Sequence, residues 1–345
     1  MPMDERKNRV LQAVIDDYVA TAEPVGSRTI ARKYRLGVSP ATIRNEMADL
    51  EELGYLEQPH TSAGRVPSDR GYRYYVDCLM EVREVSAEEE ERIRRTFERK
   101  FRELDSLIRE AARLLSEMTR LTGVAAGPQV GETVIQEIRL VPLTGERALL
   151  VYITDAGFIE KSIVDVPPEV TLVELQEVSQ LLSDHLRGRR VSSLGRGALE
   201  ELQRELRRYG ALLEQALAFL AESMEPGEHR RLYLGGTTHV LEQPEFRNVE
   251  KARALLSFLE QPDMVQEVLG SPESGDLSVQ IGEEIRLREL HDCSVISATY
   301  RIGGRVVGRL GVIGPRRMEY GRVIGLVEDL TRHLSEAASR GLIPQ

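Results

Sequence analysis

The sequence predicts an α+β protein of several domains, and three patterns carry that reading. Near the amino terminus, two short helical patterns flank a tight turn and run into a hairpin. A long, charged stretch almost free of Gly and Pro follows. Beyond it, two runs of β-branched residues with period two stand on either side of a helical block.

The first pattern begins with a helix from Asp4 to Ala22, where Val10, Leu11, Val14, Ile15, Tyr18 and Val19 recur at helical spacing and end before Pro24. Ser27 is placed to cap a short second helix whose face is Ile30, Ala31 and Tyr34, stopping at Gly37. Ser39 caps a third, with Pro40 at its first position, where a missing N–H costs nothing. Ile43, Met47, Leu50 and Leu53 form its apolar stripe, and Gly54 ends it. That stripe leaves Ala41, Thr42, Arg44 and Asn45 pointing outward from the first turn and a half.

Tyr55 to Gln58, Pro59 to Gly64 and Arg65 to Pro67 then read as strand, polar turn and strand. Ser68 caps the helix that leads out through Tyr72, Tyr74, Tyr75 and Val76. This order predicts a winged helix-turn-helix domain over residues 1–80, whose third helix would enter a major groove of double-stranded DNA. Arg can bond guanine O6 and N7 together, and Asn adenine N6 and N7, so Arg44 and Asn45 are the candidate base readers. Ser39 and Thr42 are expected to fix the helix on phosphate, Ser27 and Arg28 to hold the DNA backbone, and His60, Thr61, Ser62 and Arg65 to serve the wing.

Charge qualifies this reading. The 345-residue chain carries a net charge of −10, which alone argues against a nucleic-acid binder. Between Gly26 and Tyr75, however, eight Lys and Arg stand against six acids, and several of those acids fall late in the third helix. A modestly basic face on an acidic chain suits binding by specific contacts and dimer geometry more than by bulk attraction.

Residues 81–122 form the helical linker, a long helix or a helix pair with apolar residues from Ile93 to Met118. It reads either as a connector packed on the next domain or as a dimerising coiled coil. Three antiparallel strands are expected over Thr133–Val141, Ala148–Ile153 and Phe158–Val166, then a helix over Leu172–Leu186. Gly195–Met224 is helical, Arg231–Leu234 a short strand, and Val249–Leu259 and Asp263–Leu269 helices. Strands resume at Leu277–Gly282, Cys293–Arg301 and Arg305–Ile313, with a Gly303-Gly304 hairpin turn and a closing helix over Tyr320–Ser339. The pattern suggests one α/β domain made of 123–190 and 276–345, interrupted by an insertion over 191–275.

Chemistry motifs are absent from the sequence. The glycines at 303, 304, 308, 311 and 314 give neither G-x-G-x-x-G nor a P-loop, the six histidines form no zinc-type group, and no G-x-S-x-G occurs. No catalysis, metal or cofactor is therefore expected. Cys78 and Cys293 lack metal-type spacing and are read as reduced thiols; with no signal peptide core and no apolar run of membrane-spanning length, the expected location is the cytoplasm, without a membrane partner.

Several long stretches resemble the bacterial heat-inducible transcription repressors of chaperone and chaperonin operons. They are PVGSRTIA (24–31), the run SPATIRNEMADLEELGYLEQPHTSAGRVPSDRGYRYYVD (39–77), YLGGTTHVLEQPEF (233–246), IGEE (281–284) and the run from Ser294 to Ile324. The resemblance implies a winged-helix domain, then a GAF-like α/β domain carrying an inserted, mostly helical dimerisation domain. It further implies a homodimer on an inverted-repeat operator, the CIRCE element, kept active by the chaperonin and released on heat stress. The rival expectation is a small-molecule-responsive regulator with the GAF-like domain as ligand sensor.

Overall fold

The computed structural model describes residues 3–60, 63–98, 104–129, 133–143, 146–155, 157–168, 170–193, 216, 218, 230–270 and 275–342. Helix α1 (Glu5–Thr21) starts at Asp4, whose carboxylate accepts the Lys7 N–H, and ends at Ala22 in the left-handed region (φ 57°). Helix α2 (Ser27–Lys33) is shorter than expected. Its cap is Gly26, in extended conformation and without a side-chain bond, so Ser27 already belongs to the helix. The turn to α3 instead uses positive φ at Arg35 (40°) and Gly37 (74°).

Helix α3 (Pro40–Glu52) has the expected start: Ser39 Oγ accepts the Thr42 N–H at 3.1 Å and Pro40 occupies the first turn. Ile43, Met47 and Leu50 are buried against Val10, Leu11, Val14 and Ile30 of α1 and α2. The stripe every three or four residues thus closes a three-helix core. Strands β1 (Leu56–Glu57) and β2 (Val66–Pro67) form a two-stranded antiparallel hairpin, and Val25 bridges to Arg65 beside it. Gly64 is required there, because a Cβ would lie 2.4 Å from the Val25 carbonyl oxygen. Helix α4 (Asp69–Tyr74), capped by Ser68, runs into a π-helical turn at Tyr75–Leu79.

The charged stretch is a helix pair. Helix α5 (Ala87–Phe97) has a Ser86/Glu89 capping box, and α6 (Leu104–Thr119) buries Leu107, Ile108, Ala111, Leu114 and Leu115. Helices α5 and α6 lie against the closing helix α10 (Tyr320–Leu342). On the exposed face of α5, Arg94 pairs with Glu91 and Glu98, and Arg95 with Glu91, while Arg92 reaches Glu117 of α6 and Glu89 takes Arg322 of α10 at 2.8 Å.

Strand grouping departs from expectation. Strand β3 (Thr122–Gln129) was not legible as a strand, yet it lies inside a five-stranded sheet of order β7-β3-β10-β9-β8, all antiparallel. The other members are β7 (Arg230–Gly235), β8 (Leu277–Ile281), β9 (Cys293–Ile302) and β10 (Arg305–Pro315). The expected meander, β4 (Ile135–Pro142), β5 (Arg147–Thr154) and β6 (Ile159–Asp165), forms its own three-stranded sheet under α7 (Leu172–Leu186), with a separate core. What interrupts the five-stranded sheet is therefore the chain between β3 and β7. The segment 230–269, expected within the insertion over 191–275, belongs to the large sheet: α8 (Val249–Leu259) and α9 (Pro262–Leu269) share a core with Val124, Val295 and Ile313 on one face. On the other face Ala125, Ile296, Tyr300, Leu310 and Val312 share a core with α6, α10 and the amino-terminal helices. The helical reading of Gly195–Met224 lies, but for residues 216 and 218, outside the described residues. Among the described residues no helix is long and apolar enough to cross a membrane.

Candidate nucleic-acid interface

The amino-terminal unit presents the start of α3 to solvent. Ala41, Arg44 and Asn45 are exposed, and Thr42 is half-buried with its hydroxyl 2.9 Å from Ser39 Oγ. Ser39 thus holds the first turn together through both the backbone and the side chain of Thr42. Of the remaining expected residues, Arg28 and His60 are exposed and Ser27 is half-buried, while Thr61 and Ser62 lie outside the described residues.

Arg65 is placed differently from its expected role. Its Nε and Nη2 both sit 2.8 Å from Glu51 Oε2, tying the hairpin to the end of α3, so its guanidinium holds the protein's own carboxylate. That contact neutralises one of the late acids of α3. Others are treated alike: Glu46 takes Lys7 at 3.0 Å and Arg6 at 3.3 Å, and Asp49 takes Lys7 at 3.0 Å. Hydrogen bonds that it donates to Glu46 and then Asp49 push the Lys7 ammonium above its ordinary value, so it stays charged. Glu46, Asp49 and Glu51 are drawn toward α1 and the hairpin, exposed Glu52 closes the helix at its far end, and Arg44 is the charged side chain of its reading end. Among the described residues no acid pairs with Arg28, Arg32, Arg35 or Arg44, and all four are exposed. Such cations can meet phosphate or base edges without first breaking an ion pair. Sequence reasoning missed Arg6 and Lys7, because partners about forty residues apart leave no local signal.

The unit is fixed to the rest of the chain at its other end. Asp69 is ion-paired with Arg316 and accepts the Glu283 N–H at 2.9 Å. Arg73 grips Glu284 through Nε (2.7 Å) and Nη2 (2.5 Å), and Arg317 donates to the Val19 carbonyl at 2.7 Å. Tyr72 and Tyr320 rings lie 5.7 Å apart in a continuous core. Cys78 and Cys293 are free thiols, the first exposed and the second buried. Among the described residues no cluster of three His, Cys, Asp or Glu could hold a metal.

A family model described as the HrcA protein C terminal domain matches residues 105–324. The heat-inducible transcription repressor HrcA of Symbiobacterium thermophilum is 65% identical over 335 residues, covering 97% of this chain and 98% of that protein. Its namesake in Pelotomaculum thermopropionicum is 45% identical, covering 99% and 98%. A crystal structure titled as a hypothetical protein shares the fold with a TM-score of 0.66 at 24% identity, covering 98% of both chains. The fold and these relatives define a transcription regulator rather than an enzyme. The chain belongs to the HrcA family of heat-inducible transcription repressors.

Proposed function

We propose that residues 3–80 are a winged helix-turn-helix, that the five-stranded sheet with its helices is a GAF-like domain, and that the unit between β3 and β7 is its inserted dimerising domain. Two chains related by a two-fold axis bind an inverted-repeat operator, each laying α3 into one of two successive major grooves. Arg44 and Asn45 read base edges, Ala41 lets the helix approach closely, and Thr42 and Ser39 fix the first turn beside phosphate. Ser27 and Arg28 hold the DNA backbone, and His60 serves the wing, which Arg65 braces through Glu51. Binding represses chaperone and chaperonin operons in the cytoplasm, and the chaperonin keeps the repressor competent until unfolded clients draw it away.

The observation that carries this reading is the electrostatic division of α3: Glu46, Asp49 and Glu51 are taken up by Arg6, Lys7 and Arg65 and exposed Glu52 lies in its last turn, while Arg44 at its start remains exposed and unpaired with any described acid. A gel shift on an inverted-repeat promoter fragment, with and without chaperonin, tests it. The reading expects a dimer-sized complex that needs both half-sites and strengthens with chaperonin. Equal binding to a fragment with one half-site scrambled would defeat it.

A further inference from the structure

The Ile281–Glu284 turn, I-G-E-E, has no part in the roles assigned above, and its surroundings give it one. Gly282 sits at φ +53°, and a Cβ there would lie 1.9 Å from Asp69 Oδ2. That carboxylate cannot swing aside cheaply, because Arg316 and the Glu283 N–H both hold it. One residue on, Glu284 takes Arg73 with two nitrogens and also accepts the Ile281 N–H at 2.9 Å, so the acceptor is itself fixed. Arg73 donates further to the Val279 carbonyl at 2.6 Å. A turn at the end of β8 therefore grips both ends of the short helix α4.

Helix α4 in turn holds the far end of α3. Ser68 Oγ donates to the Gly54 carbonyl at 2.6 Å, and Arg70 Nη1 to the Leu53 carbonyl at 2.9 Å. Gly71 packs so closely that a Cβ would lie 2.1 Å from the Tyr55 carbonyl oxygen. A rigid path thus runs from the sheet through α4 to the carboxyl end of α3. The exposed reading turn is at the opposite end, about 20 Å away for thirteen residues at 1.5 Å rise. A tilt of about 10° at the gripped end moves the reading turn by roughly 3.5 Å, about one base step along a strand.

We propose that the Ile281–Glu284 turn is a clasp that sets the angle of the DNA-reading unit against the sheet, making Asp69, Arg73, Gly282 and Glu284 positioning residues for half-site spacing. This rests on the reading of α3 as the recognition helix. In a dimer whose two units are held at one angle, only one separation of half-sites satisfies both helices. The clasp supplies that angle, while affinity for a single half-site is a property of α3 alone.

The test uses full-length protein and operators whose spacer is varied one base pair at a time, with a single half-site as reference. Wild type should favour one spacer by at least tenfold over its neighbours. Gly282→Ala and Glu284→Ala should flatten that preference to less than threefold while leaving single-half-site affinity within twofold. The conservative Glu284→Gln, which keeps an acceptor for the Ile281 N–H and for Arg73, should retain the preference that Glu284→Ala loses. Spin labels at Ala41→Cys and Arg305→Cys, in a Cys78→Ser background diluted with excess unlabelled chain so that the intrachain distance dominates, read the clasp without DNA: one narrow distance in the parent, a broadened distribution with Gly282→Ala. An unchanged spacer profile in both folded variants, an equal loss at the single half-site, or a narrow distance with Gly282→Ala would overturn the clasp. Arg44→Ala separates the underlying reading: if it leaves operator preference intact while the label distances broaden as expected, the recognition helix is misassigned and the spacing role falls with it.

Discussion

Ser39 offers a perturbation in which folding and DNA binding should move in opposite directions. Its Oγ accepts the Thr42 N–H at 3.1 Å and lies 2.9 Å from Thr42 Oγ1, at the end of α3 that we assign to DNA. Ser39→Ala removes the cap, and its expected cost is about 1 kcal/mol of stability. Ser39→Asp keeps an acceptor at the cap and adds a negative charge at the positive end of the helix, worth roughly 0.3–1 kcal/mol in favour of the folded state. Beside a DNA phosphate the same charge is unfavourable. At roughly 5 Å the repulsion is about 1 kcal/mol at the dielectric of water and about 3 kcal/mol at an effective value of 20, so affinity should fall about 5-fold to about 150-fold. Thermal melts of the full chain and fluorescence anisotropy on operator DNA measure the two effects side by side. Expected is a melting point for Ser39→Asp at or above that of wild type, with binding weakened and the deficit shrinking as salt rises. Wild-type affinity in Ser39→Asp would refute the placement of this turn beside phosphate.

Further outcomes follow from the same contacts. Lys7 is nearly buried beside Glu46 and Asp49, so Lys7→Met, which leaves buried Glu46 with Arg6 alone, should destabilise by about 2 kcal/mol in a melt, and adding Glu46→Leu should recover part of it. Brief treatment of native protein with iodoacetamide at pH 8 should add one label, at exposed Cys78, since burial pushes the Cys293 thiol up to about 12. A thiol raised in the folded state leaves stability intact below its unfolded value of about 8.5 and lowers it as pH rises toward 12, so a melt series should show wild type losing ground to Cys293→Ala only above about pH 9.

What the sequence made legible was local. The Ser39-Pro40 start, the Gly54 stop and the stripe of Ile43, Met47 and Leu50 are fixed by chemistry within a turn or two, and each stands where the spacing puts it. Ser27 misled because a cap is decided by backbone angles as well as by side chain: extended Gly26 took the position. Strand β3 was missed because its residues are small for a non-local reason. At Gly123 a Cβ would lie 2.1 Å from the Ala112 carbonyl oxygen of α6, so close packing removed the bulky, branched residues that mark a strand. The same limit hid the pairing of β3 with β7 and the bond between Arg65 and Glu51, since neither partner announces the other along the chain. Of the candidate site, the residues at the start of α3 were readable; the cations that neutralise its far end were not.

The account stands on Arg44 reading a base, and Arg44→Lys tests that most directly because it keeps the charge and removes the planar fork. Binding should be measured at one salt concentration on the operator and on random DNA of equal length. The expected result is a loss of about 1–3 kcal/mol on the operator with random DNA little changed. Equal affinities for wild type and variant on the operator, or an equal loss on both DNAs, would contradict it.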